Sequence, residues 1–180
     1  TGATLDGADL RGADLTGAVV TGAGFLGATS RGFTKQQLYA TASYQTKDLQ
    51  GVSLRNNDLT GWNFAGQNLT DVNFEDSVLT QVDLTNAVIA GADFEDTTAI
   101  GFTAEQLYST ASYQAQDLHG VNLEDNDLTG WNFSGQNLTG ADIQEATLTD
   151  ADLSHVNLTG ANLRGTTLIR ANFRAADLNN

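Results

Sequence analysis

An apolar residue recurs at every fifth position along most of the chain, and no other feature constrains the fold as tightly. Leu5, Leu10, Leu15, Val20 and Phe25 set the period. It resumes from Leu49 to Phe94 and again from Leu118 to Leu178, making 28 such centres. A period of five matches neither the 3.6 residues of a helix nor the two-residue alternation of a strand. It suits a chain that turns a corner every five residues with a short extended segment on each side. Two residues before the centre sits a small side chain, as at Ala8, Ala13, Ala92, Ala141, Ala151, Ala161 and Ala171. A spacing of two points both side chains to the same side of an extended segment, here towards the axis of a coil. Two residues after the centre lie 18 of the 19 glycines, Gly24 being the exception. Where glycine is missing there, Asn56, Asp71, Asp76, Asn86, Asp96, Asp125 or Asp150 stands in. Gly, Asn and Asp are the residues that enter left-handed backbone conformations most readily. The chain has no proline, consistent with coils that pair through every available amide. The expected architecture is one all-β solenoid spanning residues 1–180.

The unit A-[DN]-L-x-x, seen in Ala8-Asp9-Leu10-Arg11-Gly12 and Ala161-Asn162-Leu163-Arg164-Gly165, closely resembles the pentapeptide-repeat family, and the match covers nearly all of the chain outside two inserts. The resemblance implies a right-handed quadrilateral β-helix of twenty residues per coil, about eight coils here. In such a coil residues twenty apart stack. The residues before the centres then place Asn63 on Asp83, Asn73 on Asp93, Asn122 on Asp142 on Asn162, and Asn132 on Asp152 on Asn172, with no Asp upon Asp. That arrangement spaces like charges along each column.

Two inserts break the register in the same way, near residues 33–48 and 102–117. Residues 32–70 and 101–139 are an internal duplication, identical at 29 of 39 positions and offset by 69. Thr34-x-x-Gln37 and Thr103-x-x-Gln106 are capping-box patterns, so each insert is expected to open with a short α-helix of about two turns, reaching about Ala42 and Ala111. Helices this short need packing to persist. Leu38, Tyr39, Leu107 and Tyr108 are the expected anchors, with Phe33, Phe102, Tyr44 and Tyr113 packing at the junctions. Nine extra residues per insert would make the offset three whole coils and put both inserts on one face; four or fourteen would separate them. Trp62 and Trp131 occupy the small inward position, where an indole does not fit a narrow coil. They are expected to pack beneath the helices or to bulge the wall locally. Lys47, Asn57, Gln67, Gln116, Asn126 and Gln136 also fall at inward positions, which suggests a distorted coil beside each insert.

The chemistry of catalysis is absent from the pattern. Without cysteine there is no disulfide, thiol nucleophile or thiolate metal site. Eleven of the 22 acids lie directly before a centre, where the repeat itself asks for Asp or Asn. His119 and His155 sit at outward positions on different faces. No phosphate-binding glycine loop occurs, because the glycines obey the corner rule. The expectation is no catalytic, cofactor or metal site. Sequons at Asn68, Asn132, Asn137 and Asn157 follow automatically from Asn before the centre and Thr or Ser after it.

Charge is the informative remainder. The net charge of -14 opposes direct binding to nucleic acid or anionic lipid, and no run approaches the ~18 apolar residues of a membrane span. Residues 48–163 hold 18 acids and one base, Arg55, between mildly basic ends. Acids beyond those the repeat demands form a candidate interaction surface: Asp71, Glu75, Asp76, Glu95, Asp96, Glu124, Asp125, Glu145 and Asp150. The chain is therefore expected to be a non-catalytic structural or protein-interaction module with an unknown protein partner. The alternative is an acidic DNA mimic that binds a type II topoisomerase or another DNA-binding protein, as some members of the resembled family do. The register starts at the first residues and the last centre is Leu178, so flanking coils or caps of a parent chain are expected. The Phe-Thr-x-x-Gln-Leu-Tyr unit resembles those of large bacterial proteins, favouring a secreted or cell-surface setting.

Overall fold

The computed structural model describes residues 2–179. Successive coils lie side by side through parallel single-residue β-bridges, which fall in four sets five residues apart. Within each run of regular repeats the bridged partners are twenty residues apart, as in Asn63 with Asp83 and Asn132 with Asp152. Across each insert the step is 29, from Gly24 to Ser53 and from Asp93 to Asn122. Nine residues are thus extra in each insert. Ser53, Asn73, Asp93 and Asn122 bridge in succession, so the two inserts stand three coils apart on one face, about 14 Å at the ordinary inter-strand spacing.

No continuous β-strand forms among the described residues, which corrects the expectation of an all-β chain in the literal sense. Each face is extended for only two or three residues before the next corner, so two consecutive rungs of one ladder never arise. Pairing is nonetheless regular: between successive coils of uninterrupted repeats a centre's N–H donates to a carbonyl nineteen residues on, as in Leu69 to Val88 at 2.7 Å and Leu138 to Asn157 at 2.8 Å. The step lengthens to 28 across each insert, as in Phe25 to Ser53. The centres fill the interior, and Leu49, Phe64, Phe94, Leu128, Phe133 and Leu148 are fully buried.

The corners are left-handed. All 18 corner glycines have positive φ and Gly24 does not. The seven Asn and Asp stand-ins share that conformation, as do Lys47, Gln81, Gln116, Glu145, His155, Arg170 and Ala175. Left-handed backbone costs a residue with a Cβ roughly 1–2 kcal/mol, partly offset by the entropy that glycine loses on folding. Gln81 is exposed at φ 58. Gln81→Gly is expected to stabilise the protein by about 0.5–1 kcal/mol, read as a higher midpoint of chemical denaturation. An unchanged or lower midpoint would contradict the strain assigned to this corner.

Each insert begins with a 3-10 turn, Ala28–Arg31 or Thr98–Ile100, and continues as two one-turn helices rather than one longer helix. These are α1 (Lys35–Tyr39) and α2 (Ala42–Gln45), then α3 (Ala104–Tyr108) and α4 (Ala111–Gln114). Both capping boxes form: Thr34 N–H donates to Gln37 Oε1 at 2.8 Å, and Thr103 N–H to Gln106 Oε1 at 2.8 Å. The single helix breaks because Thr41 and Thr110 start a new one. The Thr41 hydroxyl accepts from Tyr44 N–H at 3.1 Å while donating to Leu38 C=O at 2.6 Å. The inserts also displace rungs from the coil, and side chains replace them. Ser43 Oγ accepts from Val20 N–H at 2.9 Å. Tyr39 Oη accepts from Asn63 N–H at 2.5 Å, and the Tyr44 hydroxyl donates to Asn63 C=O at 2.9 Å. Ser112, Tyr108 and Tyr113 repeat these contacts at Ile89 and Asn132. Burial, reinforced by the neighbouring Tyr39, pushes the Tyr44 phenol up to about 12.

Beneath the inserts lie the tryptophans. Trp62 is 5 % and Trp131 8 % exposed, with ring centroids 5.6 Å from Phe33 and 5.7 Å from Phe102 respectively. Leu38 and Leu107 are fully buried, and Tyr39 and Tyr108 meet the indoles edge-on at 6.4 Å. Asn57, Gln67, Asn126 and Gln136 are buried as expected. Asn57 Nδ2 donates to Phe25 C=O at 2.8 Å and to Leu54 C=O at 2.7 Å, serving carbonyls beside the insert. Lys47 and Gln116 are corrections: both are exposed, at left-handed corners. The second helix ends just before them, so they make the turn back into the coil instead of pointing inward.

Candidate functional site

Backbone hydrogen bonds place Arg55, Glu75, Glu95, Glu124, Gln144 and Arg164 in one column. Asn56 N–H donates to Glu75 C=O, Asp76 to Glu95, Asp96 to Glu124, and Asp125 to Gln144. The adjoining corner column is therefore Asn56, Asp76, Asp96, Asp125 and Glu145. Seven of the nine candidate acids share this single edge: Glu75, Asp76, Glu95, Asp96, Glu124, Asp125 and Glu145. Asp71 and Asp150 do not. Asp71 stacks beside Gly91 at another corner, and Asp150 is held by Arg170 through paired contacts of 2.5 Å.

The ends of the carboxylate row are more closely partnered than its middle. Arg55 meets Glu75 at 2.5 Å, and Gln144 Nε2 donates to Glu124 Oε1 at 2.5 Å. Between them Glu95 receives only Asn122 Nδ2, at 3.3 Å. Beside the row runs the alternating column Asn73, Asp93, Asn122, Asp142 and Asn162, in which Asn73 Nδ2 donates to Asp93 at 2.8 Å and Asn162 Nδ2 to Asp142 at 3.1 Å. Glu75, Asp93 and Glu95 each bring an oxygen within 4.8 Å of the others. Those three oxygens are well short of the six to eight that calcium takes.

Burial raises the carboxyls of Glu75, Asp93 and Glu95 above their ordinary values, and the neighbouring acids add to the effect. A raised carboxyl favours the protonated native state. The stability it contributes is complete below the unfolded value, about 4, and is lost as pH rises through the folded value. At neutral pH the charges of these three carboxylates therefore weaken the fold. Glu95→Gln is expected to raise the unfolding midpoint at pH 7, with the gain fading towards pH 4. Equal midpoints at pH 7 would contradict the repulsion. Asp58, Asp117 and Asp150 behave oppositely, since hydrogen bonds from Thr60, His119 and Arg170 hold them below the usual carboxylate range. The histidines do not meet: His119 Nδ1 lies 2.9 Å from Asp117 Oδ1, and His155 occupies an exposed corner.

Each insert also overhangs the following coil and leaves an open groove. The first, about 610 Å³, has Phe33 and Trp62 at its base with Lys35, Asp58 and Asp76 around it. The second, about 710 Å³, has Phe102 and Trp131 at its base with Glu105, Asp125 and Asp127 around it. The acidic edge joins them, because Asp76 lines the first groove and Asp125 the second. Glu105, Asp58 and Asp127 had not stood out in the sequence. Asp58 and Asp127 were hidden among the Asp residues that the repeat demands before a centre. The signal for Glu105 was the divergence between the duplicated copies, where Lys35, Gln36 and Asn56 correspond to Ala104, Glu105 and Asp125.

A solenoid of five-residue faces, cornered by left-handed residues and paired coil to coil, defines a class of repeat protein. The family model for pentapeptide repeats matches eight copies, over residues 1–29, 48–86, 68–101, 117–154 and 146–180, and the chain belongs to that family. Among solved structures, Rfr23 from the cyanobacterium Cyanothece 51142 is 25% identical, covering 64% of this chain and 63% of its own, with a TM-score of 0.31. HetL of Nostoc sp. strain PCC 7120, described as involved in heterocyst differentiation regulation, is 26% identical over 98% of this chain and 66% of its own, with a TM-score of 0.39. QnrB1, a plasmid-mediated fluoroquinolone resistance protein, is 20% identical over 98% of this chain and 76% of its own, with a TM-score of 0.34. The chain spans less than two thirds of the length of Rfr23 and HetL. No curated protein matches it.

Proposed function

We propose that this chain is a non-catalytic module of a larger protein, a right-handed quadrilateral β-helix of about eight coils whose outer surface engages another protein. The acidic edge carries this reading. The repeat demands Asp or Asn only before the centre, whereas Glu75, Glu95 and Glu124 follow it and Asp76, Asp96, Asp125 and Glu145 take the corner. Glycine would serve those corners better, and neutral residues such as Gln144 serve the row. Seven charges that the repeat does not need, two of which (Glu75 and Glu95) weaken the fold at neutral pH, point to selection for contact with something outside the chain. A rigid solenoid suits that task because its edge is pre-organised, with little ordering cost on binding. Quantitative cross-linking of partners to the wild type and to E75Q/E95Q/E124Q tests it. Partners lost from the variant are expected; an identical partner set would overturn the edge as the contact surface.

The edge also favours a second reading, the DNA mimic. Two adjacent carboxylate rows at ~4.8 Å per coil give about one charge per 2.4 Å, against about 1.7 Å of axis in duplex DNA. On that reading micromolar protein inhibits gyrase supercoiling, and added salt relieves the inhibition. No inhibition ends it.

A further inference from the structure

The two grooves are copies of one design that have diverged in charge, and the divergence has a direction. Both keep the aromatic base, Phe33 with Trp62 and Phe102 with Trp131, and both keep a carboxylate at the rim, Asp58 or Asp127. The first groove has Lys35 among its lining residues together with the carboxylates of Asp58 and Asp76. In the second, Ala104 replaces that lysine, Glu105 replaces Gln36, and Asp125 replaces Asn56, which leaves three carboxylates and no cation among the lining residues. Asp127 is oriented by Thr129, whose N–H donates to it at 3.1 Å and whose hydroxyl donates at 2.6 Å. Glu105 and Asp125 are exposed and no cation of the chain pairs with them among the described residues.

We infer that the second groove is a docking site for an Arg- or Lys-bearing segment of a protein partner, and that the first groove is not. The occupant follows from charge complementarity. A guanidinium or ammonium head sits among Glu105, Asp125 and Asp127, while its aliphatic stem lies against the small part of Trp131, 8 % of the residue, that the groove leaves open. Arginine fits best, because its planar fork can bridge two carboxylates. Lys35 already supplies such a cation to the first groove from within the chain. The inference rests on the protein-interaction reading above and gives it a specific contact.

Titration calorimetry with an acetylated Gly-Arg-Arg-Gly peptide at low salt tests it. One site per chain is expected. E105Q/D125N is expected to weaken binding about tenfold, a loss of ~1.4 kcal/mol, whereas D71N/D83N, which removes equal charge elsewhere, leaves it within about twofold. The reverse change, K35A/Q36E/N56D, is expected to add a second site at the first groove. Glutamine and asparagine preserve shape, and Asn tolerates the left-handed corner at residue 125. Circular dichroism of each variant confirms its fold before titration. Absence of binding, equal loss in both neutralised variants, or a single site in the gain-of-charge variant would overturn the inference. If the peptide fails while partners in the cross-linking experiment still depend on the acidic edge, only this groove assignment falls. If both fail, the interaction reading falls with it.

Discussion

Leu128→Asp is expected to unfold the coils around the second insert. Leu128 is fully buried, and its N–H donates to Thr147 C=O at 2.8 Å. Removing the leucyl side chain alone costs about 2–5 kcal/mol in a core. A carboxylate with no cation inside the coil adds several kcal/mol more, or must take up a proton. Together these rival the roughly 5–15 kcal/mol that holds a typical domain folded. Because a solenoid is stabilised repeat by repeat through its neighbours, the damage should be greatest in adjacent coils. Loss of far-UV ellipticity and of the blue-shifted Trp131 emission is the expected reading. The neighbouring exposed position offers the control: Thr129→Asp should remain folded. A folded, unchanged Leu128→Asp protein would refute the inward assignment of the centres.

The second large effect is at a corner. Gly101 has φ 112, and an added Cβ would stand 2.6 Å from Thr80 N and 2.8 Å from Thr80 Cα. Both are backbone atoms of the preceding coil and cannot rotate away. Gly101→Ala therefore combines backbone strain of about 1–3 kcal/mol with an overpacking cost of about 1–3 kcal/mol. Gly130 belongs to the same corner column, with φ 72 and nothing within 4 Å of its Cβ position. Gly130→Ala should cost only about 1 kcal/mol. Denaturant midpoints of the two variants measure the difference, and equal losses would mean that close approach of the coils does not restrict Gly101. Gly101 is where the insert leaves the coil and the 3-10 turn closes, so that approach is a consequence of the extra residues.

Much of this was legible in the sequence because the repeat is local. The five-residue period identified every buried centre, and the glycine rule separated 18 left-handed glycines from Gly24. The capping boxes at Thr34 and Thr103 were readable for the same reason: each involves residues three apart. Single-helix inserts were the wrong expectation, because Thr41 and Thr110 act as caps only when the preceding turn ends at Tyr39 and Tyr108, which leaves the Leu38 and Leu107 carbonyls to accept from their hydroxyls. Lys47 and Gln116 were misplaced because counting in fives assumes no corner is added, and each of them is such a corner. Asp71 and Asp150 entered the candidate surface as acids outside the column the repeat demands, and only the stacking of coils shows that they lie at other corners.

The sequence by itself determined the coil's cross-section: which side chains face inward, where the chain turns, and that the insert is duplicated. Five-residue geometry settles these through near neighbours. Only the tertiary structure decided which residues meet across coils. Steps of twenty and 29 residues bring Glu75, Glu95 and Glu124 into one row and set Tyr39 and Tyr44 on Asn63. They also leave one groove with Lys35 beside its acids and the other with three carboxylates. Stacking distance sets the electrostatics, and it depends on how many residues complete a coil.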